Sequence, residues 1–165
     1  ALYDQVYGRA SIVMGGLESR DFGRLATELD RDFLLLTFRE EGHLVGFQCG
    51  IHHANSNSIE AYYVGFESEI NKERALYQRM LFEFIAWGTS LGASRVVMGR
   101  TALEIKSTLG AFPVELSTYV HINLPLAMPF LRWMIRKAPP HTFKPRRAWL
   151  AEWCKRWQEE GYRVN

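Results

Sequence analysis

The sequence predicts an α/β (α+β) domain. Its sheet is mixed and mostly antiparallel, flanked by helices in the order α-α-β-β-β-α-β-α-β, with a helical C-terminal tail. Three observations carry this. Residues 33–65 hold three apolar runs separated by short polar breaks. Residues 71–91 change to a helical period and lead into a short, continuously apolar run at 94–100. Residues 132–165 change character again, to a basic, Trp-rich tail.

The elements follow in order. LYDQVYGRA, 2–10, reads as a short helix, and Gly15-Gly16 as a break. Leu17, Phe22, Leu25 and Leu29 recur at helical spacing, with Glu18, Arg20, Arg24 and Glu28 left for the wet side, so a helix is expected over 19–29. FLLLTFRE, 33–40, and HLVGFQCGIHH, 43–53, flank Glu41-Gly42 and read as a hairpin. The polar stretch 54–58 leads to IEAYYVG, 59–65, a third strand rich in β-branched and aromatic residues. Three strands with short polar joints make an antiparallel meander.

Leu76, Met80, Leu81, Phe84 and Ile85 form one stripe, so 71–91 is expected as one long helix, capped by Asn71 and stopped by Gly92. SRVVMGR, 94–100, suits a central strand, reached by a right-handed crossover. TALEIKSTL, 101–109, reads as a short helix capped by Thr101 and closed by Gly110, and VELSTYVHIN, 114–123, as a last strand. AWLAEWCKRWQEEGY, 148–162, reads as a helix whose Trp149, Trp153 and Trp157 recur every four residues, a stripe suited to docking. This divides the chain into a domain at 1–131 and a tail at 132–165.

Composition bounds the function. The chain has 165 residues, 47% hydrophobic and 23% charged, which fits one folded domain and excludes a disordered chain. A net charge of +2 does not by itself imply nucleic acid. The tail differs: nine Lys/Arg stand against three Asp/Glu in 132–165. That patch could meet RNA phosphates or a membrane surface, or simply be solvated. No apolar run reaches the roughly 20 residues of a membrane span, and 124–135 is broken by Pro125, Pro129 and Arg132. Cys49 and Cys154 are far apart and read as packing residues. Sparse cysteine and the lack of a leader pattern fit a cytoplasmic protein. Adjacent His52 and His53 point to opposite sides of a strand and make poor co-ligands, His121 stands alone, and no metal site is expected.

Ligands of such sheets sit where neighbouring strands splay, near C-terminal strand ends. That points to 62–65, 99–101 and the loop into residue 113. Arg100 ends a strand and Lys106 follows six residues later in a helix. Cations there could steady an oxyanion, or could simply be exposed surface charges. Glu60, Tyr62, Tyr63 and Tyr119 are the candidate proton acceptors. Strand alternation puts Tyr62 and Tyr63 on opposite faces, so one at most should line a cleft.

YYVGF at 62–66, Ala75-Leu76-Tyr77, GRTALEIKSTLGAFP at 99–113, HINLPL at 121–126 and FKPRRAW at 143–149 resemble the FemAB-like branch of bacterial acyl- and aminoacyltransferases, within the GNAT (Gcn5-related N-acyltransferase) architecture. The resemblance is to tandem-GNAT proteins, in which such a domain is the second of two halves. It implies transfer of an acyl or aminoacyl group to a small-molecule amine or amino-acid-like acceptor. Lys106, Arg100, Tyr63 and Glu60 are then the catalytic candidates, Tyr62, Thr101 and Tyr119 the substrate-binding ones, and Val64 and Gly65 the cofactor-binding ones. The donor would be acyl-CoA, an acyl-carrier protein or an aminoacyl-tRNA, with no metal. A second GNAT-like domain or a homodimer would be the partner. GNAT enzymes that use acetyl-CoA grip its pyrophosphate with a Q/R-x-x-G-x-G/A loop. The matching stretch here, FESEINKER at 66–74, lacks glycine and carries Glu67 and Glu69. Like charges oppose a diphosphate there, although both acids also suit a first helical turn. A non-catalytic, substrate- or partner-binding half is the alternative.

Overall fold

The computed structural model describes residues 2–8, 16–114, 116, 117, 119, 127–137, 144, 146 and 148–160. The chain forms two compact units, Ala1–Thr101 and Ala102–Asn165.

The first unit is built on a four-stranded sheet: β1 (Phe33–Glu40), β2 (His43–His53), β3 (Ser58–Phe66) and β4 (Arg95–Val97), in that spatial order. The first three are antiparallel neighbours and β4 runs parallel to β3. The hairpin turn falls at Glu41-Gly42, both with positive φ. α1 (Leu2–Tyr7) and α2 (Ser19–Leu29) precede the sheet, and α3 (Ser68–Arg74) and α4 (Leu76–Ser90) connect β3 to β4. The parallel β3–β4 pair follows from that connection, since a helical crossover brings the chain back in the same direction.

α4 covers one face. Phe84, Ile59 and Leu34 form one buried cluster, and Val45, Leu76 and Met80 a second. Phe84 is fully buried and contributes roughly 2–3 kcal/mol by leaving water. Gly50 lies under Phe84, and a Cβ there would come within 2.6 Å of the ring's Cζ. The opposite face carries an aromatic cluster. Phe22 packs edge-on against Phe47 (5.5 Å between centroids) and Tyr63 (5.8 Å), and Tyr3 edge-on against Phe22 (5.6 Å). Such pairs each add about 0.5–1.5 kcal/mol beyond burial.

The expected helix over 71–91 is two helices. Ala75 takes a left-handed conformation (φ 52°, ψ 41°), ending α3 and starting α4. Asn71 is not the N-cap expected: it lies inside α3, whose N-cap is Glu67, and its Oδ1 accepts the Tyr77 N–H at 2.7 Å across the break. Gly92 ends α4 with φ 70°. The expected strand over 94–100 shortens to β4, because Gly99 turns the chain with φ 75°.

The second unit contains α5 (Leu103–Thr108), α6 (Ala127–Lys137) and α7 (Ala151–Glu159). Thr101 does not cap α5; the N-cap is Ala102, at φ 52°. The strand expected over 114–123 is not seen in its described residues: Val114, Leu116, Ser117 and Tyr119 are irregular and exposed, and the rest lies outside the described residues. No strand pairing forms at its described residues, where an apolar pattern alone does not make a strand. The tryptophans of this segment pack within the second unit. Trp157 meets Phe112 (5.0 Å) and Trp149 (4.9 Å), and the Trp149 indole N–H donates to the Gly110 carbonyl at 2.9 Å.

Candidate active site

Two departures from regular β geometry shape the first unit. The β2–β3 register shifts between Cys49 and Gly50: Cys49 faces Tyr63 and Gly50 faces Ala61, so Tyr62 is an extra residue. This is a β-bulge, which re-aims side chains. Tyr62 and Tyr63 therefore both line the same groove, their rings 6.1 Å apart, and the expectation of opposite faces is corrected.

The second departure is where β3 and β4 part. Asn57 and Ser94 fasten one end. The Asn57 carbonyl accepts the Ser94 N–H (2.8 Å) and hydroxyl (3.0 Å), and the Asn57 side-chain amide donates to the Gly92 carbonyl (2.9 Å). Three rungs follow, the last joining Glu60 to Val97. Beyond it, among the described residues, 61–66 pair with β2 alone. Among the described residues the C-terminal end of β3 therefore has no strand partner on the β4 side, at the end of a parallel pair where α/β sheets hold ligands.

Glu60 stands at this fork. Its Oε2 is 3.4 Å from His53 Nε2. Burial first, then the Glu60 charge, raise the Tyr62 hydroxyl above its usual pKa, so Tyr62 stays protonated at neutral pH. A carboxylate flanked by an imidazole and a phenol can accept a proton from an incoming amine.

The sheet floor beneath α2 adds a groove of about 300 Å³, lined by Cys49, Ile51, Tyr62 and Tyr63 and roofed by Asp21, Arg24 and Leu25 of α2. The Cys49 thiol is pushed up to about 11 by burial, so it packs rather than reacts. His53 and the α2 residues were not readable as site residues: the helical pattern of 19–29 says which stripe is apolar, not which part of the sheet it covers.

The remaining candidates are placed as follows. Arg100 and Thr101 follow β4 and are exposed. Val64 is half-buried, and Gly65 is buried under α1, where a Cβ would collide with Phe47 and the Tyr3 backbone nitrogen. In the second unit Tyr119 is exposed, whereas Lys106 is buried in the last turn of α5, and burial lowers its ammonium to about 8. Ser107 beside it accepts the Arg146 N–H at 2.8 Å.

The stretch matching the GNAT pyrophosphate loop is the start of α3. Its first donors are engaged: the Glu67 N–H donates to the Val45 carbonyl (2.9 Å) and the Ser68 N–H to Gln5 Oε1 (3.3 Å). Lys72 is held by Glu69 at 2.9 Å. With Glu67 and Glu69 present and no glycine, these residues do not fit a diphosphate. Among the described residues no group of three His, Cys, Asp or Glu could hold a metal ion, and no helix is long and apolar enough to cross a membrane.

Solved structures share this architecture. An aminoglycoside acetyltransferase from an uncultured soil metagenomic sample matches with a TM-score of 0.53 at 14% identity, over 74% of this chain and 84% of its own. Glucosamine-6-phosphate N-acetyltransferase from Arabidopsis thaliana matches with 0.53 at 14%, over 74% and 87%. A GNAT family acetyltransferase from Staphylococcus aureus matches with 0.51 at 14%, over 73% and 84%. The fold is that of the GNAT acetyltransferases. No family model and no curated protein matches the sequence.

Proposed function

We propose that this protein is an N-acyltransferase of the FemAB-like kind, moving an acyl or aminoacyl group from a thioester or an aminoacyl ester to an amine. The observation that carries the reading is the fork between β3 and β4, with Glu60 at its root on a GNAT fold. The backbone of 61–66, which among the described residues has no strand partner on the β4 side, suits an extended, amide-bearing donor arm, which would add to the sheet edge and bring its carbonyl carbon to the fork. The acceptor nitrogen gives a proton to Glu60 and attacks that carbon. The C–N bond forms, an oxyanion develops, and the C–S or C–O bond to the donor breaks as the leaving group takes up a proton. His53 and Tyr62 flank the Glu60 carboxylate. On the resemblance of 99–113, Arg100, which follows β4 in the same unit, is the candidate cation for the oxyanion.

The occupied, acidic start of α3 argues against a donor gripped by a diphosphate. A carrier-protein thioester or an aminoacyl-tRNA fits better, and the excess of Lys/Arg in 132–165 suits an RNA donor. The same feature favours the second reading, a binding half without chemistry of its own. Four donors test the two: acetyl-CoA, the truncated thioester S-acetyl-N-acetylcysteamine, an acyl-carrier protein and aminoacyl-tRNA, each with a mixture of small amines. Turnover is expected, with the truncated thioester no worse than acetyl-CoA. No turnover from any donor would leave the binding half.

A further inference from the structure

The groove beneath α2 has a chemical character that separates it from a sugar or sugar-phosphate site. Its floor is apolar: Phe33, Ile51 and Cys49 from the sheet, closed by Leu25 from α2. Its polar lining is unbalanced, with Asp21 and Glu28 against a single cation, Arg24, which lies 3.6 Å from Glu28. Two tyrosine rings, 6.1 Å apart, line it, and the Glu60 charge acts on the Tyr62 hydroxyl.

We propose that this groove binds a primary monoamine with a compact apolar or aromatic body, the ammonium lying against the Tyr62–Tyr63 pair beside Glu60 and the body on Ile51, Phe33 and Leu25. The inference rests on the reading of Glu60 as the group that receives the amine's proton, and it names the acceptor class. Three physical terms support it. A volume of about 300 Å³ is at the small end of ligand pockets, large enough for one ring or a short alkyl chain. Aromatic faces and surplus carboxylate attract a cation. A phosphate would meet Asp21 and Glu28 with one partly neutralised arginine to hold it, and a polyhydroxylated amine would strand its hydroxyl groups on an apolar floor.

The test measures binding without a donor, so that it is independent of transfer. 2-Phenylethylamine, ethanolamine and glucosamine 6-phosphate are titrated into the full chain while the Leu and Ile methyl signals are followed by NMR. Saturable shifts at Ile51 and Leu25 are expected, with 2-phenylethylamine at least tenfold tighter than the other two. Leu25→Arg, on a half-buried helix position, should weaken it at least tenfold while the remaining methyl spectrum stays native. Should Leu25→Arg unfold the chain, Tyr62→Leu, at an exposed position, provides the second variant, with a severalfold loss expected. Equal or tighter binding of ethanolamine or glucosamine 6-phosphate, or shifts confined to methyls elsewhere, overturns the proposal. Tight 2-phenylethylamine binding with no turnover from any donor supports it while removing the transferase. Transfer to a sugar amine with no 2-phenylethylamine binding does the reverse.

Discussion

Tyr62 and Tyr63 are neighbours in sequence and neighbours in the same groove, because the bulge opposite Cys49 gives β3 one more residue than β2. A regular strand would send one of them to the α4 side, into a packed core. The bulge instead keeps Tyr62 half-exposed beside Glu60 and leaves the Ile59 and Ala61 side of the strand to Phe84. One inserted residue thus separates a groove-lining face from a packed one on the same strand.

The carboxylate at the fork is the first residue to change. Glu60→Gln should keep the fold, with Tm within about 2 °C, because the amide retains the size and a hydrogen-bonding oxygen. Transfer should fall by about 10²–10⁴-fold, the usual worth of a positioned base. Tyr62→Phe should cost less and should raise KM for the amine more than it lowers kcat. Steady-state kinetics of both variants check this, and an unchanged kcat in Glu60→Gln would exclude it as the base.

Gly50 has no room for a methyl group. Gly50→Ala would press on the Phe84 ring and the Glu60 carbonyl, and it should destabilise the chain by about 1–3 kcal/mol, as overpacking does. Urea unfolding measures this. Since Gly50 adjoins the bulge, the variant should also lose activity in excess of its loss of folded fraction.

Ala75 is held at φ 52°, where a Cβ is unwelcome and glycine is not. Ala75→Gly should therefore stabilise the α3–α4 junction by up to about 1 kcal/mol, seen as a higher urea midpoint. A lower midpoint would mean that the left-handed turn is not the native conformation there.

That turn also marks where the sequence stopped being informative. The periodicity of 71–91 does place Leu76, Met80, Leu81 and Phe84 on the sheet, since burial follows the apolar stripe whether or not the helix is continuous. The break at Ala75 leaves no trace, as neither glycine nor proline stands there. The hairpin and meander were legible from the apolar runs, the Glu41-Gly42 turn and the short polar joints. The bulge at Tyr62 was not, because an inserted residue is defined against its partner strand and not by its own chemistry. Glu60 could be named from its position in the third strand. Its pairing with His53 required the register that sets Ile51 opposite Glu60.

Lys106 gives a pH prediction. Burial lowers its ammonium from 10.5 to about 8, so between those values the unfolded chain binds a proton that the native chain does not. Stability should therefore rise as pH increases through that window and be flat, for this group, below it. The shift corresponds to roughly 3 kcal/mol at most. Lys106→Met should be more stable than the parent at pH 7 and should lose this pH dependence.

The most direct test of the fork is amide hydrogen exchange of β3, with and without S-acetyl-N-acetylcysteamine at saturating concentration. In the free protein, those amides of 61–66 that point away from β2 should exchange fast, and the thioester should slow them at least tenfold while leaving β1 and β2 unchanged. Protection already complete in the free protein, or a thioester footprint confined to other elements, would contradict an acyl donor lying along the open edge of β3.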